Sequence, residues 1–194
     1  MTRVLSRATI AAVFAVSFVG TGAAVAPVTT GGRDGLQVFA ERVAAYAELH
    51  RRLDAVFPPW EPSNDMHLIE HRRAYLASAI RRERPHARQG DIFEPSAGTA
   101  LRAVIAGALA GIDVELWLQD LYAECEMPVG YRPPVNAGYP YWATQEMPIV
   151  LLDALPALPA GIVYRLIDHD LLLWDVDANL IIDVLPDALP RAGS

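Results

Sequence analysis

The sequence contains no lysine; all sixteen of its basic residues are arginine. That removes the amine on which Schiff-base and lysine general-base chemistry depend. It has a single cysteine, Cys125, so no internal disulfide can form. Glu124 and Glu126 flank this thiol, and their charges disfavour the thiolate that a cysteine nucleophile needs. Beyond the amino terminus serine is confined to Ser63, Ser78, Ser96 and Ser194, and none stands in a G-x-S-x-G elbow. A glycine-rich phosphate loop is also missing. Nucleophilic and nucleotide-dependent chemistries are therefore poorly supplied.

One long uncharged stretch is present, at the amino terminus. Arg3 and Arg7 precede an apolar run over residues 8–19, Gly20, Thr21 and Gly22 interrupt it, and residues 23–26 are small. This order predicts a cleavable secretory signal peptide over residues 1–24, cut after Ala24 rather than directly before Pro27. The alternative is an uncleaved anchor, but the strongly apolar part covers only about ten to twelve residues, short of a spanning helix. No cysteine lies near the cut to carry a lipid. The expected address is the periplasm or the extracellular space, with no membrane insertion once the signal is removed.

The formal charge of −7 becomes −9 when Arg3 and Arg7 leave with the signal. Residues 33–102 hold eleven arginines against ten acids, whereas residues 103–194 hold three arginines against thirteen acids. So acidic a second half argues against nucleic acid, which requires clustered cations. It argues equally against an anionic membrane surface as partner. With 53% hydrophobic residues the chain is not intrinsically disordered, and 194 residues suit one domain.

Residues 25–35 read as a flexible leader, followed by a single domain over residues 36–190. Phe39, Val43, Tyr46, Leu49, Leu53 and Val56 recur at threes and fours and predict a first helix that Pro58 and Pro59 stop. Ser63, Asn64 or Asp65 can cap a second helix running from about His67 to Arg84. A third starts near Pro95, and a fourth covers residues 113–124. The prolines from Pro128 to Pro140 forbid a long helix, leaving short extended pieces over 130–135 and 139–144. Pro148 opens a short helix. Residues 162–167, 171–176 and 180–185 then read as a three-stranded meander with turns at Asp168-His169-Asp170 and Asp177-Ala178-Asn179. Both faces of that sheet are apolar, so it must be covered, and the helices are the expected cover. The predicted fold class is α+β, an N-terminal helical half packed on a small C-terminal antiparallel β-meander.

The sharpest chemical motif is His67-Leu68-Ile69-Glu70-His71. Two histidines four apart share a helix face and can hold zinc, and H-x-x-E-H is the inverted zincin order, with its glutamate as general base. Seventy-four residues separate His71 from Glu146, a candidate third ligand. Against this, Arg72, Arg73 and Ala74 stand where that family has small and apolar residues, and the chain is too short for its substrate chamber. Two surface histidines on a solvated helical turn is the preferred reading. Asp175-Val176-Asp177-Ala178-Asn179 opens like a calcium loop but has Leu180 and Pro186 where glycine and glutamate are required, which leaves a turn. Tyr131, Tyr139, Tyr141 and Trp142, interleaved with prolines, could line a ligand groove or form a loop covering the sheet.

The order of motifs resembles a family of secreted bacterial proteins with no assigned activity. The likeness is carried by Phe39…Arg42-Val43…Tyr46…Leu49-His50-Arg51, by Gln89-Gly90-Asp91-Ile92-Phe93, and by Val135-Asn136…Tyr139-Pro140. It continues in Asp170-Leu171-Leu172-Leu173…Asp175 and Ala178-Asn179-Leu180-Ile181-Ile182-Asp183. The resemblance implies export and a common fold, and no catalytic residues. Residues 160–185 are also similar to the end of small periplasmic proteins of nickel and cobalt homeostasis, although histidine-rich tracts are missing. The expected role is non-enzymatic, binding a protein or small-molecule ligand without a cofactor. The alternative is a zinc-dependent hydrolase using His67, Glu70 and His71.

Overall fold

A computed structural model describes residues 30–57, 65–125, 128, 130–143 and 145–191. The stretch read as a signal peptide, the start of the expected leader and the linker with Pro58, Pro59, Ser63 and Asn64 lie outside the described residues. The described chain forms α1 (Thr30–Asp54), α2 (Met66–Glu83), α3 (Pro95–Ala108), α4 (Val114–Leu121) and α5 (Ile149–Leu152). Three strands follow, β1 (Ile162–Ile167), β2 (Asp170–Asp175) and β3 (Leu180–Leu185). The fold is α+β, with a helical N-terminal half on a C-terminal antiparallel sheet of order β1-β2-β3. Among the described residues no helix is long and apolar enough to cross a membrane.

Each helix begins where its local chemistry allows. Of the three candidate caps for α2, Asp65 has the role: its carboxylate accepts from the backbone N–H of His67 and Leu68. Asp113 caps α4 in the same way through Leu116 N–H. Pro95 occupies the first turn of α3, where a missing N–H costs nothing. α1 starts at Thr30, so the residues expected as leader from 30 to 35 are helical.

Gly35 explains that early start. A Cβ there would stand 2.4 Å from the carbonyl oxygen of Ser96, so only glycine lets α1 lie directly on the start of α3. At Gly107, also helical, an added Cβ would meet nothing within 4 Å. Gly35→Ala is therefore expected to cost about 2 kcal/mol through overpacking, and Gly107→Ala to stabilise by about 0.5 kcal/mol through helix propensity. Urea unfolding of the two variants checks this; equal effects would contradict the close approach of the helices.

The sheet is covered on both faces by different means. Phe39, Val43 and Tyr46 of α1 and Leu101 and Ile105 of α3 pack with Tyr164, Leu166, Leu171, Leu173, Leu180 and Ile182 in the main core. The opposite face presents Ile167, Leu172, Ile181 and Val184, and the segment around residues 131–143 covers it. That segment forms no strands. It touches the edge of β3 through Asn136 N–H to Ile181 O at 2.8 Å and Ile181 N–H to Ala137 O at 2.9 Å. The helices thus cover one face only, because the proline-rich segment already buries the other. The two-residue β1–β2 turn has Asp168 in the left-handed region at φ 54°, which a short hairpin connection needs and aspartate tolerates.

Candidate ligand site

A cleft of about 540 Å³ opens between α1 and the connection from α2 to α3. α1 supplies Arg42, Ala45, Tyr46 and Leu49, which a helical repeat places on one side. The facing wall is Arg84, at the C-terminal cap of α2, with Arg88, Asp91, Ile92 and Glu94 beyond it.

One buried carboxylate holds this wall in place. Asp183 on β3 has no exposed surface. It accepts the N–H groups of Gly90 at 2.8 Å, Ile92 at 2.7 Å and Phe93 at 2.8 Å, besides that of Val184 at 2.7 Å. Burial pushes its carboxyl above the ordinary carboxylate range, and these four N–H groups oppose the shift. Gly90 turns the chain at φ 89°, and Phe93 stacks on Phe39 with ring centroids 5.6 Å apart. The wall is consequently pinned before any ligand arrives.

The three arginines differ in their partners. Arg42 is ion-paired with Glu94. Arg88 lies 3.6 Å from Asp91, whose other oxygen accepts the Arg88 backbone N–H at 3.0 Å. Arg84 is half-buried, its guanidinium 5.2 Å above the Tyr46 ring and its terminal nitrogens 3.4 and 3.3 Å from Ile182 O. Among the described residues it has no carboxylate partner.

Tyr46 links the cleft to a second polar cluster. Its hydroxyl donates to Asp175 at 2.7 Å, and His50 Nδ1–H donates to the same oxygen at 2.6 Å. The other oxygen accepts Ala178 N–H at 2.9 Å, so the fully buried Asp175 is satisfied on both sides. Burial, then the Asp175 charge, pushes the Tyr46 phenol far above its ordinary value. The hydrogen bond to Asp175 holds His50 above the ordinary histidine value. Its Nε2 lies 3.8 Å from Asp177.

The residues singled out from sequence lie elsewhere. His67, Glu70 and His71 are exposed on the first turns of α2, and Glu70 accepts from Arg73 at 2.9 Å. Glu146 is exposed as well. Among the described residues no group of three His, Cys, Asp or Glu side chains is placed to hold a metal ion. Three of the four aromatics, Tyr131, Tyr139 and Trp142, pack in the cover over the sheet, and Tyr141 does not. Tyr131 meets Trp142 edge to face at 5.1 Å, Tyr139 stacks on Trp174 at 4.6 Å, and Tyr141 is 93% exposed. Cys125 is half-buried and directs its Sγ at Trp142 O, 3.2 Å away. His169, buried in the β1–β2 turn, sits 2.9 Å from Asp168 and 3.2 Å from Glu115 of α4 and thereby ties the hairpin to that helix.

The arginine cleft is absent from the sequence-based candidates, and Asp175 entered them only as the opening of a calcium-loop pattern read as a turn. A lone aspartate inside an apolar strand, as in Leu180-Ile181-Ile182-Asp183-Val184-Leu185, was the available sign of a buried anchor. No family model matches the chain, and no curated protein or solved structure matches it. The fold and cleft define the class by themselves: a small α+β domain with a pinned, arginine-lined cleft.

Proposed function

We propose that this chain is an exported, non-enzymatic binding protein that takes a small anionic molecule in the cleft between α1 and the α2–α3 connection. The observation that carries this is Arg84, a half-buried arginine lining a cleft of about 540 Å³ with no carboxylate ion-paired to it among the described residues. Cavities of this size suit small ligands, and a guanidinium out of bulk water is a strong anion donor. Among the described residues, those lining the cleft include no serine, cysteine or histidine, which supports binding rather than turnover. The amino-terminal residues support export.

Ligands that bind the folded state alone raise its melting temperature. Small organic anions are therefore expected to stabilise the protein at low ionic strength, with the effect reduced at about 1 M salt. Neutral compounds of the same shape are expected to do little. Equal stabilisation by neutral compounds would overturn the anion site. Amino-terminal sequencing of protein recovered from the periplasm or medium should begin at Val25; an intact Met1 in the cytosol would overturn export.

A further inference from the structure

We infer that the ligand is a small monocarboxylate with an apolar body, anchored by Arg84. This rests on the anion-binding reading of the same cleft and adds the class of anion. The cleft holds three guanidinium groups, Arg42, Arg84 and Arg88, against two carboxylates, Asp91 and Glu94. Among the side chains lining the cleft one positive charge is left over, while the buried carboxylates of Asp175, behind Tyr46, and Asp183, behind Gly90 and Ile92, stand outside the lining and add negative charge of their own. A monoanion neutralises that positive charge. A dianion such as a phosphate monoester leaves excess negative charge beside Asp91 and Glu94, in a chain whose net charge is −7 and becomes −9 without Arg3 and Arg7. Like charges this close in a partly desolvated site are costly.

The geometry of Arg84 favours a carboxylate further. A guanidinium offers five N–H donors in a planar fork that matches the two oxygens of a carboxylate. The only hydrogen bonds its side chain makes among the described residues are the two to Ile182 O, at 3.3 and 3.4 Å, both long for an N–H donor. The end-on pair of N–H groups is therefore turned to this carbonyl, and the fork left for a carboxylate is the side-on one, Nε–H with the outer N–H of the adjacent terminal nitrogen. Arg42 and Arg88, each occupied by its own carboxylate, are weaker competitors for the anion.

The rest of the cleft asks for an apolar body. Leu49, Ile92 and the methyl of Ala45 supply hydrocarbon, and Tyr46 contributes its ring beneath Arg84. The Tyr46 hydroxyl is committed to Asp175 and offers the ligand nothing. Recognition therefore reduces to one charge-assisted fork and contact with hydrocarbon, the pattern of an aryl or short-chain alkyl carboxylate.

Isothermal titration of the mature chain at low ionic strength tests this, with benzoate, hexanoate, benzamide, phenyl phosphate and inorganic phosphate as probes. Benzoate or hexanoate should bind at least about tenfold more tightly than the other three. Arg84→Gln should lower carboxylate affinity about tenfold or more, and Arg84→Lys, which keeps the charge but loses the fork, should fall between. Ala45→Trp is the safeguard should the Arg84 variants fold poorly. It blocks the cleft from an exposed helical position without removing a side-chain hydrogen bond, and it should abolish binding. Tighter binding of either phosphate would overturn the monocarboxylate assignment while leaving an anion site in the cleft. Failure of every anion to bind, or carboxylate binding unchanged by Ala45→Trp, would overturn the site itself.

Discussion

Asp183→Ala is expected to remove about 4 kcal/mol or more of stability, lowering the melting temperature by about 10 °C or more. Four backbone N–H groups converge on this carboxylate from 2.7 to 2.8 Å. Alanine leaves those of Ile92 and Phe93, both buried residues, with no acceptor, and each orphaned donor carries a penalty of about 1–3 kcal/mol. Asp183→Asn keeps one acceptor oxygen but turns an amide NH₂ toward converging donors, so it should recover part of the loss and no more. The loss also has an address. Amide exchange at Gly90, Ile92 and Phe93 should accelerate beyond that of the β2–β3 ladder, because these N–H groups lose the acceptor that ties them to β3. Carboxylate binding in the cleft should weaken in parallel, since the wall holding Arg88 and Asp91 depends on that tie. A melting temperature within about 2 °C of the parent would mean that Asp183 is not the anchor.

Elements with a local signature were legible in the sequence. The stripe of Phe39, Val43 and Tyr46 located α1 because its period matches a buried helix face, and Asp65 marked the start of α2 because a side-chain oxygen satisfies free N–H groups. The hairpin over residues 162–185 was legible from apolar runs separated by Asp and Asn turns. The amino-terminal turns of α1 were not. Gly31, Gly32 and Gly35 have low helix propensity, and the tertiary contact that makes Gly35 useful, its fit against Ser96, has no local sign. The segment 130–144 looked extended because its prolines exclude helix, yet its rings and its two bonds to Ile181 settle it as cover without strand pairing.

The candidate site was less legible for a related reason. Arg84, Arg88, Asp91 and Glu94 lie close together in the chain, where they read as ordinary solvated charge. They become one wall only because Asp183, some ninety residues further on, gathers the loop by its N–H groups, and they become a cleft only when α1 brings Arg42 and Tyr46 opposite. Asp175 looked like a turn former at a strand end, and it does accept the N–H of Ala178. Its other oxygen reaches Tyr46 and His50 on α1, a partnership that no spacing rule signals. H-x-x-E-H stood out by spacing, yet its side chains are exposed and one is engaged by an arginine on the same helix. Exposure and partners, which spacing does not encode, separate these cases.

The second large effect is expected at Asp175. Asp175→Asn should cost about 3 kcal/mol. Tyr46 O–H and His50 Nδ1–H both donate to one of its oxygens and Ala178 N–H donates to the other; an amide NH₂ on the first side makes both partners turn from donating to accepting, and on the second it meets a backbone N–H that can only donate. A pH signature separates this from a plain packing defect. The hydrogen bond to Asp175 raises the pKa of His50 in the folded protein; burial opposes the shift, and the Asp175, Asp177 and Asp54 charges add to it. A raised folded value means that the folded state binds the proton more tightly. The stabilisation is then complete below the unfolded histidine value of about 6.5 and is lost as pH climbs through the higher folded value. Melting temperatures recorded from about pH 6 to about pH 9 should therefore decline for the parent chain across that window. His50→Gln should remove this part of the decline while keeping a donor toward Asp175. Asp175→Asn should remove it as well, because the carboxylate that favours the histidinium is gone. Parallel curves for the parent and His50→Gln would show that the cluster carries no proton-linked stability and joins α1 to β2 through neutral hydrogen bonds alone.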